Sequence, residues 1–203
     1  MKEQPELKFD ENTHTYMVKD REVPSVTTII EDVIRYQEKF EKLVADGVMN
    51  KPDLSVYAAF GSAVHKACEL HIKGNLDMDS LDPDLKAPLD AFVKFIDDTK
   101  FELIESEQRR YSEEYWFAGT YDLYGVLRGK KTIIDIKTGR EGKQHHLQTA
   151  AYAVLRDEQA DRYCLYLDRD EPKYKLKKHK MNKRDVDFWK NVMIVYHGKE
   201  RYK

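Results

Sequence analysis

Residues 117–137 read F-A-G-T-Y-D-L-Y-G-V-L-R-G-K-K-T-I-I-D-I-K. Two runs rich in aromatic and β-branched residues flank Arg128-Gly129-Lys130-Lys131, where glycine supplies the backbone freedom of a tight turn, so the stretch predicts a β-hairpin. With Gly129-Lys130 as a two-residue loop, Arg128 pairs with Lys131 and Asp122 falls opposite Lys137. Residues two apart share a face of a strand, so Asp135 joins Lys137 and Asp122. Two carboxylates and an ammonium then project together from one end of the hairpin, which is costly unless a cation or a phosphate is received there. Asp-x-Lys alone is a common tripeptide, and in a half-exposed strand it marks only a solvated face. Ile133, Ile134 and Ile136, however, make the second strand apolar on both faces, as in a buried central strand charged only at its C-terminal end. Sheet scaffolds present their chemistry at strand ends.

The chain around this hairpin has 203 residues, 41% of them hydrophobic and 35% charged. That suits one sizeable domain, 1–203, with a very polar surface. No apolar run reaches the length of a membrane span, and the first twenty residues lack the apolar core of a secretory signal. Cys68 and Cys164 stand far apart without C-x-x-C spacing, which fits a reducing cytosol and excludes a four-cysteine zinc or iron–sulfur site. A formal net charge of −2 makes any nucleic-acid footprint a local one.

Before the hairpin, residues 1–23 read as a polar lead and a first hairpin. Thr28 with Glu31 has capping-box spacing for a helix reaching about residue 46. Residues 48–55 read as a loop containing Pro52, and a second helix spans 56–73, closed by Gly74-Asn75. Gly61 inside it costs about 1 kcal/mol against alanine, which implies a close approach to the backbone. His65 and Glu69 lie one turn apart, as a surface pair or a functional one. A third helix covers 85–99, and 101–110 alternates as a strand with Glu105, Glu107 and Arg109 on one side. After the hairpin, a helix over 143–158 carries His145, Gln148 and Tyr152; an aromatic there is ordinarily core or rim. A strand over 162–168 follows, then K-Y-K-L-K-K-H-K over 173–180, whose lysines either guard a sheet edge or track phosphates. A last helix begins at Asn182. No internal repeat or domain boundary interrupts this order.

Four of these segments, Gly61-Ser62-Ala63-Val64-His65 with Glu69, Gly119-Thr120-Tyr121-Asp122, Asp135-Ile136-Lys137 and Gln148-x-x-x-Tyr152, stand in a telling order and spacing. The series resembles that of the PD-(D/E)XK nuclease superfamily, in its RecB-like branch, which takes in phage-type exonucleases and the mitochondrial genome maintenance exonuclease. The resemblance covers about residues 56–155; His14-x-Tyr16 and Pro24-Ser25-Val26-Thr27 extend it more weakly. It implies an α/β fold: a mixed central β-sheet flanked by helices, a restriction-endonuclease-like core over about 56–170, and an N-terminal helical portion bordering the cleft. Relatives that hold an iron–sulfur cluster use four cysteines; this chain has two, so no iron–sulfur cluster is expected.

The implied activity is metal-dependent phosphodiester hydrolysis by a DNA exonuclease, acting on single strands or duplex ends in replication, recombination or repair. A structure-specific endonuclease and a catalytically silent DNA-binding recombination accessory protein are the alternatives. DNA is the expected partner, with replication or recombination proteins beside it and no membrane. The expected setting is intracellular and cytoplasmic, including a phage-encoded protein in its host. Asp122, Asp135 and the carbonyl of Ile136 are hard oxygen ligands suited to Mg²⁺ or Mn²⁺, and His65 as a further ligand favours Mn²⁺. Lys137 orients or deprotonates the attacking water, the second role requiring a lowered pKa. By the same resemblance Gln148 and Tyr152 position the scissile strand. Glu69 and Glu107 stand behind the ligands or serve a second ion. Lys173, Lys175, Lys177, Lys178, Lys180, Lys183 and Arg184 form a strip that contacts DNA phosphates.

Overall fold

Three short strands open the chain: β1 (Leu7–Asp10), β2 (Thr15–Val18) and β3 (Arg21–Val23) form an antiparallel sheet in the order β1-β2-β3. The computed structural model of the protein describes residues 6–11, 13–34, 45–47, 51–180 and 182–201. The N-terminal portion is therefore a small sheet, not the helical portion expected. Its third strand escapes a sequence reading because the β2–β3 turn is Lys19-Asp20, with φ of 48° and 58° at two non-glycine residues. That is the backbone of a two-residue hairpin turn without its usual glycine. Tyr16, Val18 and Val23 point inward and share a small core with Ala118.

Helix α1 (Val26–Ile34) starts earlier than expected. Its cap is Ser25, whose Oγ accepts the N–H of Thr28 at 3.0 Å, rather than Thr28 itself. The expected continuation over 35–44 lies outside the described residues. Helix α2 (Lys51–Ile72) also begins before the anticipated Val56; Pro52 falls in its first turn, where a missing N–H breaks no helical bond. It closes as expected: Gly74 has φ +70° and Asn75 N–H donates to Leu70 O at 2.8 Å. Helix α3 (Lys86–Thr99) follows a 3-10 turn at Pro83–Leu85.

The main sheet holds β4 (Glu102–Ser112), β5 (Phe117–Leu127), β6 (Lys130–Lys137), β7 (Asp161–Leu167) and β8 (Tyr174–His179) in that spatial order. Only β6 and β7 run parallel, joined through α4 (His145–Arg156); α5 (Asn182–Glu200) ends the fold. The isoleucines of β6 divide between two cores. Ile133 packs with Tyr121, Ala150 and Trp189 on the side of α1, α4 and α5. Ile134 and Ile136 pack with Val64, Phe92 and Leu165 on the side of α2 and α3. Each side chain of this kind stabilises by about 1.5–3 kcal/mol on burial, so the central strand is held from both faces.

The hairpin turn is Arg128-Gly129, with φ of 52° and 75°, and Leu127 pairs with Lys130. The loop thus sits one residue earlier than the Gly129-Lys130 expected, because arginine accepts the left-handed conformation at the first turn position. Leu123 pairs with Ile134, which brings Asp122 level with Asp135 instead of Lys137. Moving both ends of the loop by one residue changes the register by two, so side-chain parity is kept over the paired residues, Leu123–Leu127 with Lys130–Ile134. Among the described residues no helix is long and apolar enough to cross a membrane.

Candidate metal centre

The β5–β6 ladder is last paired at Leu123 and Ile134. Beyond it, Asp122 Oδ2 accepts the Ile136 N–H at 2.5 Å, so a side chain replaces the next ladder bond. This holds Asp122, 6% exposed, at the point where the two strands part. Helix α2 lies across that gap. Its His65 places Nδ1 3.3 Å from Asp122 Oδ1 and Nε2 3.0 Å from the carbonyl oxygen of Ile136. Both neighbours are acceptors, and a neutral imidazole has one N–H, so the protonated ring satisfies both. Burial disfavours that charge, but Asp122 outweighs it and pushes the His65 pKa up to about 9.

Glu107 comes from β4 and completes a trio. One ligand atom each from His65, Glu107 and Asp122 lies within 4.8 Å of the others. Glu107 adopts φ +48°, a conformation that costs roughly 1–3 kcal/mol in a non-glycine residue and that concentrates at functional sites. Burial and the nearby Asp122 push its carboxyl up to about 8, with His65 opposing. Asp122 itself is held below the usual carboxylate range: burial raises it, but His65, Lys137 and the Ile136 N–H together lower it further. One imidazole, two carboxylates and a carbonyl at hydrogen-bond distance from the imidazole form a predominantly hard donor set that fits Mg²⁺ or Mn²⁺.

Asp135 is buried beside this trio, with its Oδ2 2.8 Å from Lys137 Nζ. Burial and Asp122 raise the Asp135 carboxyl against the pull of Lys137. Burial lowers Lys137, but Asp135 and Asp122 more than offset that and keep it a firm ammonium. As it stands Lys137 is a donor and a counter-charge; service as a base requires these carboxylates to be otherwise engaged. Cys164, across the parallel pair from Asp135, points its thiol at Asp135 Oδ2 from 3.7 Å.

Gln148 Nε2 donates to Tyr152 Oη at 2.9 Å, so the two helix residues act as one unit. Burial drives the Tyr152 pKa well above its usual value, and Asp135 and Asp122 add to this, so the phenol keeps its proton. Gly119 is required next to it: a Cβ there would lie 2.9 Å from Val26 Cγ2 and 3.0 Å from Tyr152 Cε1. Gly61 is under less pressure, since its added Cβ would meet only Thr138 Oγ1, at 3.4 Å. Glu69 is tied to Lys66 at 2.8 Å and Lys73 at 2.6 Å along α2 and stands outside the trio.

A cleft of about 810 Å³ opens over Glu107, Glu69 and Tyr152 and is walled by Tyr16, Ser25 and Arg109. The N-terminal sheet is fastened here by Tyr16 Oη to Thr120 Oγ1 at 2.8 Å and by Ala118 N–H to Pro24 O at 2.9 Å. Thr120 belongs to the Gly119–Asp122 motif and Arg109 to the expected charged face of β4, but no local pattern tells that they meet the N-terminal sheet at this cleft. The basic strip occupies the opposite edge of the sheet, on β8 and the start of α5.

No family model matches this sequence, and no curated protein matches it. Among the solved structures that match is "Crystal structure of SSO0001", which aligns over 88% of this chain and 79% of that one at 18% identity with a TM-score of 0.41. So distant a likeness carries no argument about function.

Proposed function

We propose that this chain is a metal-dependent DNA nuclease of the PD-(D/E)XK type, most akin to RecB-like exonucleases. The observation that carries the reading is the convergence of His65, Glu107 and Asp122 within 4.8 Å, beside an Asp135–Lys137 ion pair of 2.8 Å. Hard carboxylates are gathered with an ammonium at the open end of a sheet, where a phosphodiester and its counter-ion would both be received.

Bound Mg²⁺ or Mn²⁺ supplies activation of a water and neutralisation of the charge that builds on the phosphoryl group. His65, Glu107 and Asp122 would hold it, with Asp135 and the Ile136 carbonyl beside them. Lys137 donates to the attacking water or to a phosphoryl oxygen. Tyr152, kept protonated and braced by Gln148, donates a hydrogen bond toward the strand lying in the cleft. A ligating His65 would have to give up one ring proton, so metal affinity would rise as pH approaches about 9.

The test uses end-labelled linear DNA and closed circular DNA, single- and double-stranded, with Mg²⁺, Mn²⁺ or a chelator. Metal-dependent loss of label from linear substrates, with circles intact, is the expected result. Cleaved circles would make the enzyme an endonuclease. DNA binding with no cleavage under either metal would leave an accessory protein and end the nuclease reading.

A further inference from the structure

The seven cations of the basic strip are not equivalent. Lys173 pairs with Glu171, Lys175 and Lys177 share Glu141, and Lys178 pairs with Asp161. Lys180, Lys183 and Arg184 are exposed, and none has a carboxylate partner among the described residues. These three line one groove of about 980 Å³ where β8 meets α5, together with Phe188 and Asn191. Arg184, Phe188 and Asn191 follow four- and three-residue spacing, so they share one face of α5. Phe188 is 49% exposed there. Of the acids on the groove, Asp185 is committed to the buried Arg162 at 2.5 Å, leaving Asp187. Burial holds His179 near a pKa of about 4 and hence neutral, so the groove is net positive around an open aromatic ring.

We propose that this groove binds single-stranded nucleic acid, with phosphates on Lys180, Lys183 and Arg184 and a base stacked on Phe188. An exposed ring flanked by unpaired cations matches what a single strand offers, since its bases have free faces that a duplex keeps stacked. A peptide of aspartate and glutamate alone matches the cations but brings no aromatic face to the ring.

The sheet register gives the groove a position relative to the candidate centre. Lys137 pairs across β7 at Tyr166 with Lys175, and Asp135 at Cys164 with Lys177. Two strand spacings put β8 about 10 Å from β6 at the level of the carboxylates, and the groove lies further along β8, at His179. Resting on the nuclease reading, the groove becomes the site that grips the strand away from the bond being cut.

Binding is measured by fluorescence anisotropy on the full chain, with a labelled oligothymidylate of about 30 nucleotides and a chelator present so that cleavage does not intrude. Lys183→Gln with Arg184→Gln should flatten the log–log salt dependence by about 1.4, at about 0.7 per single-strand phosphate contact. Phe188→Ala should weaken binding about five- to a hundredfold with the slope unchanged, and Phe188→Tyr should restore it. Phe188→Leu keeps an apolar side chain without a ring and separates stacking from loss of fold, which circular dichroism monitors. Affinity and slope unchanged in the variants would overturn the proposal. So would an equal loss of duplex and single-strand binding in Phe188→Ala, or a polyglutamate peptide binding more tightly than the oligonucleotide. A protein that binds through this groove yet never cleaves DNA would end the nuclease reading and leave the groove assignment standing.

Discussion

His65 is held by two acceptors from one strand junction, and its charge state is the most informative property of the candidate centre. Its pKa of about 9 depends on Asp122, since burial alone pulls the other way. Asp122→Asn should therefore drop the His65 titration below its ordinary value of about 6.5, followed by NMR of the imidazole protons. A titration still near 9 would mean that another group holds the proton. The same variant, and Glu107→Gln, should each lose calorimetrically detectable Mn²⁺ binding while keeping the fold. His65→Ala removes one donor and spares the carboxylates, so it should lose most Mg²⁺-supported cleavage and retain a larger fraction with Mn²⁺, which binds such sites more tightly. Equal residual fractions with the two metals would take His65 out of the site. Asp122, Asp135 and Lys137 were legible as a charged strand end, because alternation and turn chemistry are short-range. Glu107's place among the ligands was not, because it depends on a left-handed residue inside a strand, which no local pattern announces.

At the scale of elements, two features carry measurable stability. The β5–β6 turn keeps Arg128 at φ +52°, and asparagine is the residue most at home before glycine in such a turn. Arg128→Asn should gain roughly 1 kcal/mol by relieving this strain, read as a higher denaturant midpoint at unchanged slope. Arg162 is the opposite case. Fully buried on β7, it reaches Asp185 Oδ2 at 2.5 Å, His146 O at 2.6 Å, Thr149 Oγ1 at 3.2 Å and Asn182 Oδ1 at 3.1 Å. It ties both α4 and α5 to the sheet. Arg162→Met should cost about 3–5 kcal/mol, since it leaves the mostly buried Asp185 carboxylate without its counter-charge and the His146 carbonyl without its donor. A loss under 1 kcal/mol, from the same unfolding curves, would show that the helices dock through their apolar faces alone. Residues 162–168 read as an apolar strand, and the reason for an arginine at its start lies in the packing of α5 against it.

Across the whole molecule, three histidines and Glu107 set opposing limits on stability with pH when no divalent ion is bound. Burial lowers both His145 and His179 to about 4. Between about pH 6.5 and 4 the unfolded chain takes up protons at both positions that the native state refuses, so stability falls with acid. Glu107, raised to about 8, and Asp135, raised by burial and Asp122, oppose this. Above pH 6.5 the native state retains protons on His65 and Glu107 that the unfolded chain releases, so stability falls again as pH rises through 8 and 9. Denaturant midpoints should thus decline as pH rises from about 6.5 to 9, and His65→Gln should flatten that decline; His145→Gln with His179→Gln should raise the midpoints at about pH 4–5 relative to those at about pH 7. Midpoints climbing steadily to pH 9 would contradict the raised pKa values. Short-range rules account for the buried triple-isoleucine strand, the helices α2 to α5, the Gly74 stop and the charged end of β6 at Asp135 and Lys137. Tertiary packing decides which distant groups meet. His65 reaches the Ile136 carbonyl across 71 residues of chain, Glu141 neutralises two lysines of the strip, and the N-terminal sheet closes the cleft through Tyr16 and Thr120. Periodicity and turn preference act over a few residues and leave their mark in the chain, whereas these meetings follow from how whole elements pack and charge is buried.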